Sequence, residues 1–499
     1  MWGDLLKEAA RIAQGPSPAA AKPLIDRLLA QRHDDADALT LAGIVAQRTG
    51  ETRTAIAMFS HARDVDVGNP ARHQNLGVAL KNDGKFDAAC AAFETALRLR
   101  PGHPATLSNL GSCLIAAGRC EDALPILEQA GDHPDALTNM GVALAGLSRW
   151  QEAIACYRQS LRLRPGHGDS MINLADALAN MGEDREAETL LSAILQGQPT
   201  HIRAANQLGL LLEKRGDYSL ALAALRPALD LAAPHHALGV NLARILIRAD
   251  EPKAAVDICN RLIATQPSIT TPLALKMAAL TRLDDIAGRD DLMGLKRFVT
   301  VHDIPSAPGF ADMESFNQRL VEELTMHPSL TYEPAGLVTR KGRQSGELVG
   351  APTPALSMLA KIATDELAQE WARLAGLPVD HPFLAAIPKE WTLTLWGTIL
   401  SPGGEVSAHI HAPNWLSGVY YPAFAEEDNE EAGAFGIGML PAELGGGGDV
   451  TVLPPRAGRM ILFPSYLWHA TLPFAGQQDR ISFAFDLVPT AIGRPHHLH

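Results

Sequence analysis

One tripeptide, Asn-Leu-Gly or a near copy of it, returns through the first half of this chain at an almost fixed interval. It reads Asn75-Leu76-Gly77, Asn109-Leu110-Gly111, Asn139-Met140-Gly141, Asn173-Leu174-Ala175, Gln207-Leu208-Gly209 and Asn241-Leu242-Ala243. The small residues fall at 43, 77, 111, 141, 175, 209 and 243, a step of 34 broken once by a step of 30. A period of that length marks stacked helical hairpins, because one such unit buries its apolar face only against its neighbours.

Other positions keep the same phase. Alanine stands twelve residues after each small residue, at 55, 89, 123, 153, 187, 221 and 255. Four further on come Phe59, Phe93, Leu127, Tyr157, Leu191, Leu225 and Cys259. The small residues suit a close crossing of two helices, and the bulky ones are expected to fill the gap to the next hairpin. Pro101, Pro165, Pro199 and Pro267 close units where a helix must stop. The pattern resembles the tetratricopeptide repeat, over residues 35–270, with a degenerate capping unit at 1–34 marked by Ala9, Ala21 and Ile25.

At 499 residues the chain exceeds one core, and from about residue 380 its text turns to Gly, Pro, Trp, Tyr, Phe and Thr with period-two alternation. A net charge of −13 and the lack of a long basic run argue against nucleic acid as a partner. The opening MWGDLLKEAA has no apolar core of signal-peptide length, and no run approaches a membrane span. The five cysteines, at 90, 113, 120, 156 and 259, form no CxxC and read as packing residues in a reducing compartment, so a cytoplasmic protein is expected.

The repeat asparagines share one phase of the first helix and should form a ladder along one face. An Asn amide both donates and accepts, so Asn75, Asn109, Asn139, Asn173, Gln207 and Asn241 could pair with the backbone of an extended peptide without reading its side chains. The protein O-linked N-acetylglucosamine transferases have such a ladder, and this segment is similar to theirs. The same residues could instead hold the hairpins to one another.

Near the other end, SAHIHAPNWLSGVYYP places His409 and His411 two residues apart, which on a strand puts both rings on one face. His469 closes GRMILFPSYLWH, and Arg480 opens RISFAFDLVP, where Arg480, Ser482 and Ala484 share one face and Ile481, Phe483 and Phe485 the other. A strand with an apolar face and an Arg-Ser face has a ligand to hold.

HxH, a distal His and RxS together resemble the iron(II)- and 2-oxoglutarate-dependent oxygenases. The similarity is closest to a bacterial subfamily with the text HxHxxxWLSGVYY, FPSxLWH and RISxAF, over about residues 310–490. The resemblance implies a double-stranded β-helix of jelly-roll type at 321–495, behind a helical connector at 271–320. It implies Fe(II) held by His409 and His469, with Arg480 and Ser482 clamping the far carboxylate of 2-oxoglutarate and O2 as the other co-substrate. His411 stands where that family carries an acid. Three readings stay open: a three-histidine site, a two-histidine site completed by water, and a domain that has lost its metal.

Smaller expectations concern the surroundings. Trp391, Leu393, Leu395 and Gly397 alternate with Thr392, Thr394, Trp396 and Thr398 as on a strand. Either Tyr420 or Tyr421 could bond a co-substrate carboxylate, and Tyr421 is taken as the cofactor-binding one. TRKGRQSGEL, with Arg340, Lys341 and Arg343, reads as a polar loop or a substrate lid in which Arg340 and Arg343 touch substrate. Glu426, Glu427, Asp428, Glu430 and Glu431 form an acidic surface run. The four glycines 445–448 read as a hairpin tip, since no helix follows to cradle phosphate. His496, His497 and His499 read as a disordered tail.

The fold expected is α+β and multidomain: an N-terminal α-solenoid of tetratricopeptide repeats, then a jelly-roll oxygenase domain. The function the resemblance implies is a dioxygenase that hydroxylates a peptide or protein side chain presented by the repeat groove. Two alternatives remain at this stage: an oxygenase on a small metabolite with repeats for assembly, and a catalytically dead repeat scaffold.

Overall fold

A computed structural model describes residues 2–230, 235–334, 336–351, 353–423, 431–474, 478–490 and 492–496. Glu426, Glu427, Asp428 and Glu430 of the expected acidic run lie outside the described residues, as do His497 and His499. Residues 1–211 and 212–499 form two compact units. No helix of the described residues is long and apolar enough to cross a membrane.

The repeats fold as their period requires. Seven helix pairs follow one another among the described residues: Ala36–Arg48 with Thr52–Val65, Pro70–Asn82 with Phe86–Leu99, Pro104–Ala116 with Cys120–Glu128, Pro134–Gly146 with Trp150–Leu163, Gly168–Asn180 with Asp184–Gly197, Ile202–Arg215 with Tyr218–Leu225, and His236–Arg248 with Pro252–Thr265. Trp2–Gln14, the short helix Pro18–Ala21 and Lys22–Gln31 precede them, with Ala9, Ala21 and Ile25 buried in turn. Pro70, Pro104 and Pro134 open first helices at positions where a missing N–H costs nothing. The turn inside each hairpin passes through the left-handed region, at Gly84 with φ 74° and, without glycine, at Ser148 with φ 58° and Asp250 with φ 63°.

The bulky repeat residues make two kinds of contact. Phe59 joins a buried cluster with Leu76 and Ala79 of the next hairpin, and Phe93 one with Leu107 and Leu110, while Phe59, Phe93, Leu127 and Tyr157 also pack on the small residue of their own hairpin, Gly43, Gly77, Gly111 and Gly141. A Cβ added at Gly77 would stand 2.7 Å from the ring of Phe93, which is fully buried. Glycine is there so that the ring can lie against the helix backbone.

The C-terminal part is built on antiparallel strands: β1 Thr300–Asp303, β2 Thr331–Tyr332, β3 Thr339–Gln344, β4 Trp391–Val406, β5 Leu416–Ala423, β6 Phe435–Ile437, β7 Thr451–Leu453, β8 Arg459–Pro464, β9 His469–Thr471 and β10 Arg480–Pro489. One sheet runs β1-β8-β5-β10-β4-β3-β2 and the other β7-β6-β9. Segment 271–320, expected as a helical connector, holds helices Thr271–Arg282, Ile286–Met293 and Leu295–Phe298, but also β1, which pairs with β8 from Thr300↔Leu462 to Asp303↔Arg459. The expected loop or lid at 339–348 begins as β3, which pairs with β4 while its charged side chains point outward. Backbone pairing there outweighs a polar composition that reads as loop.

Apolar contacts and a few buried polar bonds fix helices to this sheet. Helix Met313–Thr325 lies on β5, where Tyr420 donates its hydroxyl to Asn317 Oδ1 at 2.6 Å. Trp415 stacks on Phe383 at 4.7 Å and donates Nε1–H to the Phe383 carbonyl. Trp468 donates to the carbonyl of Ala274, and Tyr466 to that of Leu292, so helices Thr271–Arg282 and Ile286–Met293 are hydrogen-bonded to the segment that leads into β9.

Candidate metal centre

Three imidazoles meet where the two sheets touch. His409 does not lie on a continuous strand, as its spacing from His411 predicts. It follows the end of β4 and forms an isolated bridge to His469, each backbone N–H donating to the other's carbonyl at 3.0 Å. His411 donates its backbone N–H to the carbonyl of Ser465 at 2.9 Å. This extended backbone still aims both rings inward, although no ladder runs through them.

Each ring turns Nδ1 toward an acceptor outside the centre. For His409 it is the carbonyl of Ser407 at 2.8 Å, for His469 the carbonyl of Leu467 at 2.9 Å, and for His411 the carboxylate of Asp486 at 2.7 Å. A proton on Nδ1 in each case leaves the Nε2 lone pair free. The Nε2 atoms of His409 and His411 are 3.0 Å apart, and one ligand atom from each of the three histidines lies within 4.8 Å of the others. Burial, then the neighbouring His411, pulls His409 down to about 3. Burial, then His409 and His411, holds His469 well below the usual histidine range. These two rings are therefore neutral donors at pH 7. Three imidazole nitrogens converging beside an open cavity fit a first-row divalent ion such as Fe(II) that keeps free positions for other ligands.

The cavity beside them has a volume of about 380 Å³. Arg480, Ser482 and Ala484 of β10 line it, on the face that the alternation of that strand predicts, and Asp486 continues the row. The Arg480 guanidinium is 3% exposed. It donates Nε–H to the Gly433 carbonyl at 2.7 Å, Nη1–H to Ser482 at 3.3 Å and Nη2–H to the Tyr421 hydroxyl at 3.2 Å, and it lies over the Tyr421 ring. No acidic side chain of the described residues pairs with it. Burial lowers its pKa, yet a guanidinium stays charged at any pH a protein meets. A buried cation with neutral partners on a cavity wall has the chemistry to receive a carboxylate.

Other expected residues are placed differently. Tyr421 reaches the site through Arg480, whereas Tyr420 is spent on Asn317. Arg340 and Arg343 do not line the cavity: Arg340 bonds the carbonyls of Leu337 and Thr339, and Arg343 lies 3.6 Å from Asp479. His496 is no loose tail. Its ring stacks on Trp396 at 4.4 Å, its Nε2 meets the Ser345 carbonyl at 3.1 Å, and it lines the cavity with Arg494 and Pro495.

Sequence reasoning missed Asp486, Asn414 and the Trp396–His496 stack. The period of two that picks out Arg480, Ser482 and Ala484 reaches Asp486 if extended by one step. Asn414 and His496 carry no such signal, because loops bring them in.

In the repeats, Asn109, Asn139 and Asn173 line one groove of about 320 Å³ together with His133, His167 and Arg203. Asn139 donates to the carbonyl and hydroxyl of Ser108 in the preceding hairpin, and Asn173 Oδ1 accepts from Arg203. Asn75, Gln207 and Asn241 are also half-buried but do not line that groove. Part of the ladder thus ties hairpins together while still facing a groove.

Comparisons with known proteins agree with this division. Residues 394–486 match the family described as "Putative 2OG-Fe(II) oxygenase", a span that holds all three histidines, Arg480, Ser482 and Asp486. Residues 69–130, 144–210 and 212–280 match tetratricopeptide repeat families. The chain therefore joins tetratricopeptide repeats to a C-terminal domain of the 2OG-Fe(II) oxygenase type. It is 28% identical over 184 residues to cellulose synthase operon protein C of Pseudomonas fluorescens, a match that covers 35% of this chain and 13% of that relative's length. Among solved structures, a tetratricopeptide repeat protein from Parabacteroides merdae is 14% identical, with 46% of this chain and 91% of that one covered, at a TM-score of 0.40. A thermophilic tetratricopeptide protein in Thermus thermophilus is 20% identical, with 36% and 100% covered, at a TM-score of 0.32.

Proposed function

We propose that this protein is an iron(II)- and 2-oxoglutarate-dependent oxygenase of the HxH, distal His and RxS kind, acting in the cytoplasm on a peptide or protein side chain held by the repeat groove. The observation that carries this reading is one cavity lined both by three converging imidazoles and by a buried guanidinium that has no anionic partner among the described residues. The two facing requirements of such an enzyme, a metal and a dicarboxylate, have separate receptors within it. The arrangement of the two sheets supports a jelly roll over 321–495.

His409, His411 and His469 would hold the metal, with Nδ1 protons tied off so that no tautomer change accompanies binding. Arg480 and Ser482 would take the far carboxylate of 2-oxoglutarate, and Tyr421 keeps the guanidinium plane in place. Iron held there would supply the oxidising chemistry by which 2-oxoglutarate and O2 give succinate and CO2 as a substrate C–H becomes C–OH. The buried aromatic rings of Phe435 and Phe463, packed on His469 at 5.2 and 4.7 Å, exclude water from the protein side of the centre. Asn109, Asn139 and Asn173 offer amides to a peptide backbone.

The test is succinate formation from 2-oxoglutarate by purified protein given Fe(II) in air. Wild type is expected to form it, and Arg480→Ala to form far less at the same 2-oxoglutarate concentration. Wild-type turnover that persists unchanged in Arg480→Ala would contradict the assignment.

A further inference from the structure

Asp486 is a buried carboxylate, 3% exposed, with no lysine or arginine against it among the described residues. It accepts three hydrogen bonds. His411 Nδ1 and the Ser417 hydroxyl reach Oδ1 at 2.7 and 2.6 Å, and Asn414 Nδ2 reaches Oδ2 at 2.8 Å. Ser417 is bonded in turn to Ser465 at 2.7 Å, so its one proton can go to Asp486 while it accepts from Ser465. Asn414 is held from its other side, since its amide donates to the Arg494 carbonyl and its Oδ1 accepts the Arg494 N–H. Every partner of this carboxylate is itself fixed.

The other two rings of the centre are oriented by main-chain carbonyls two residues before them, at Ser407 and Leu467. His411 alone is oriented by a charge. A lone anion in a protein interior is costly unless a positive charge lies near. A cation held where the three imidazoles converge would lie one ring away, across His411.

We infer that Asp486 is the positioning residue of the metal centre, supplying through His411 the negative charge that an acid at position 411 would have supplied directly. This rests on the reading of His409, His411 and His469 as metal ligands. The carboxylate holds the proton on Nδ1 of His411, so Nε2 is the donor, and it makes that nitrogen a stronger one. The centre then has three neutral ligands and one carboxylate a single ring further out. Ser417 and Asn414 keep the carboxylate in its plane.

Iron(II) affinity of the apo-protein, titrated without oxygen, tests this in a cycle of Asp486→Asn, His411→Ala and the double variant. The visible absorption of the cobalt(II) form reports ligand geometry alongside. Asp486→Asn is expected to weaken iron binding about 10–100-fold and to alter the cobalt(II) bands, and to add nothing in the His411→Ala background. Equal affinity and identical bands in Asp486→Asn, with metal lost in His411→Ala, would overturn the inference and leave the three-histidine site standing. An additional loss in the double variant would also overturn it, since that marks a structural role. Wild type that binds no metal would remove the reading beneath the inference and the inference with it. Should Asp486→Asn not fold, nitrogen NMR of histidine-labelled wild type loaded with zinc(II) decides: a protonated Nδ1 on His411 is expected, and coordination through Nδ1 would overturn it.

Discussion

Arg480 carries a charge that no acidic side chain among the described residues neutralises, and that sets what its loss should do. Arg480→Ala is expected to weaken 2-oxoglutarate binding by about 1.5–3 kcal/mol for each charged hydrogen bond removed, while iron affinity stays at the wild-type level. Tyr421→Phe deletes one neutral-to-charged bond at 3.2 Å and should cost 2-oxoglutarate affinity less, about 1 kcal/mol. Calorimetric titration of the iron-loaded variants reads both. An Arg480→Ala protein with wild-type 2-oxoglutarate affinity would remove the clamp. At this scale the sequence disclosed the residues that repeat at strand spacing, since HxH and RxS place two groups on one face whether or not a full ladder forms. Asp486 was one step further along the same face. Asn414 and His496 were hidden because their positions depend on chain segments far away in sequence.

The elements divide into those whose pattern is periodic and those whose pairing is decided elsewhere. The helical hairpins announce themselves through the recurring small residue, and the contact of that residue with the ring sixteen positions on explains why the pattern is strict. Gly77→Ala places a methyl 2.7 Å from the Phe93 ring, and overpacking of this kind should destabilise by about 1–3 kcal/mol. Thermal unfolding of Gly77→Ala beside wild type measures it, and an unchanged midpoint would mean the ring moves aside freely. β1 and β3 were illegible for the opposite reason. β1 has four residues of mixed polarity, and β3 is charged along its outer face, so neither carries a buried alternation for a reader to detect. Their partners β8 and β4 hold them in the sheet.

At the scale of the whole molecule, the proposed function has the repeats recognise substrate and the sheet domain carry the chemistry. Replacing both Asn109 and Asn173 with alanine removes two amides from the groove while leaving the metal centre untouched. The double variant should raise KM for a peptide substrate about tenfold, as expected for the loss of hydrogen bonds of about 0.5–1.5 kcal/mol each, and should leave substrate-independent 2-oxoglutarate consumption unchanged. A peptide KM identical to wild type would give these residues a purely structural place between hairpins. Iron content tests the three-histidine centre most directly. Wild type, reconstituted with Fe(II) without oxygen and freed of excess, should retain one iron per chain, and His409→Ala, His411→Ala and His469→Ala should each lose most of it. A His411→Ala protein that keeps its full iron would contradict the claim.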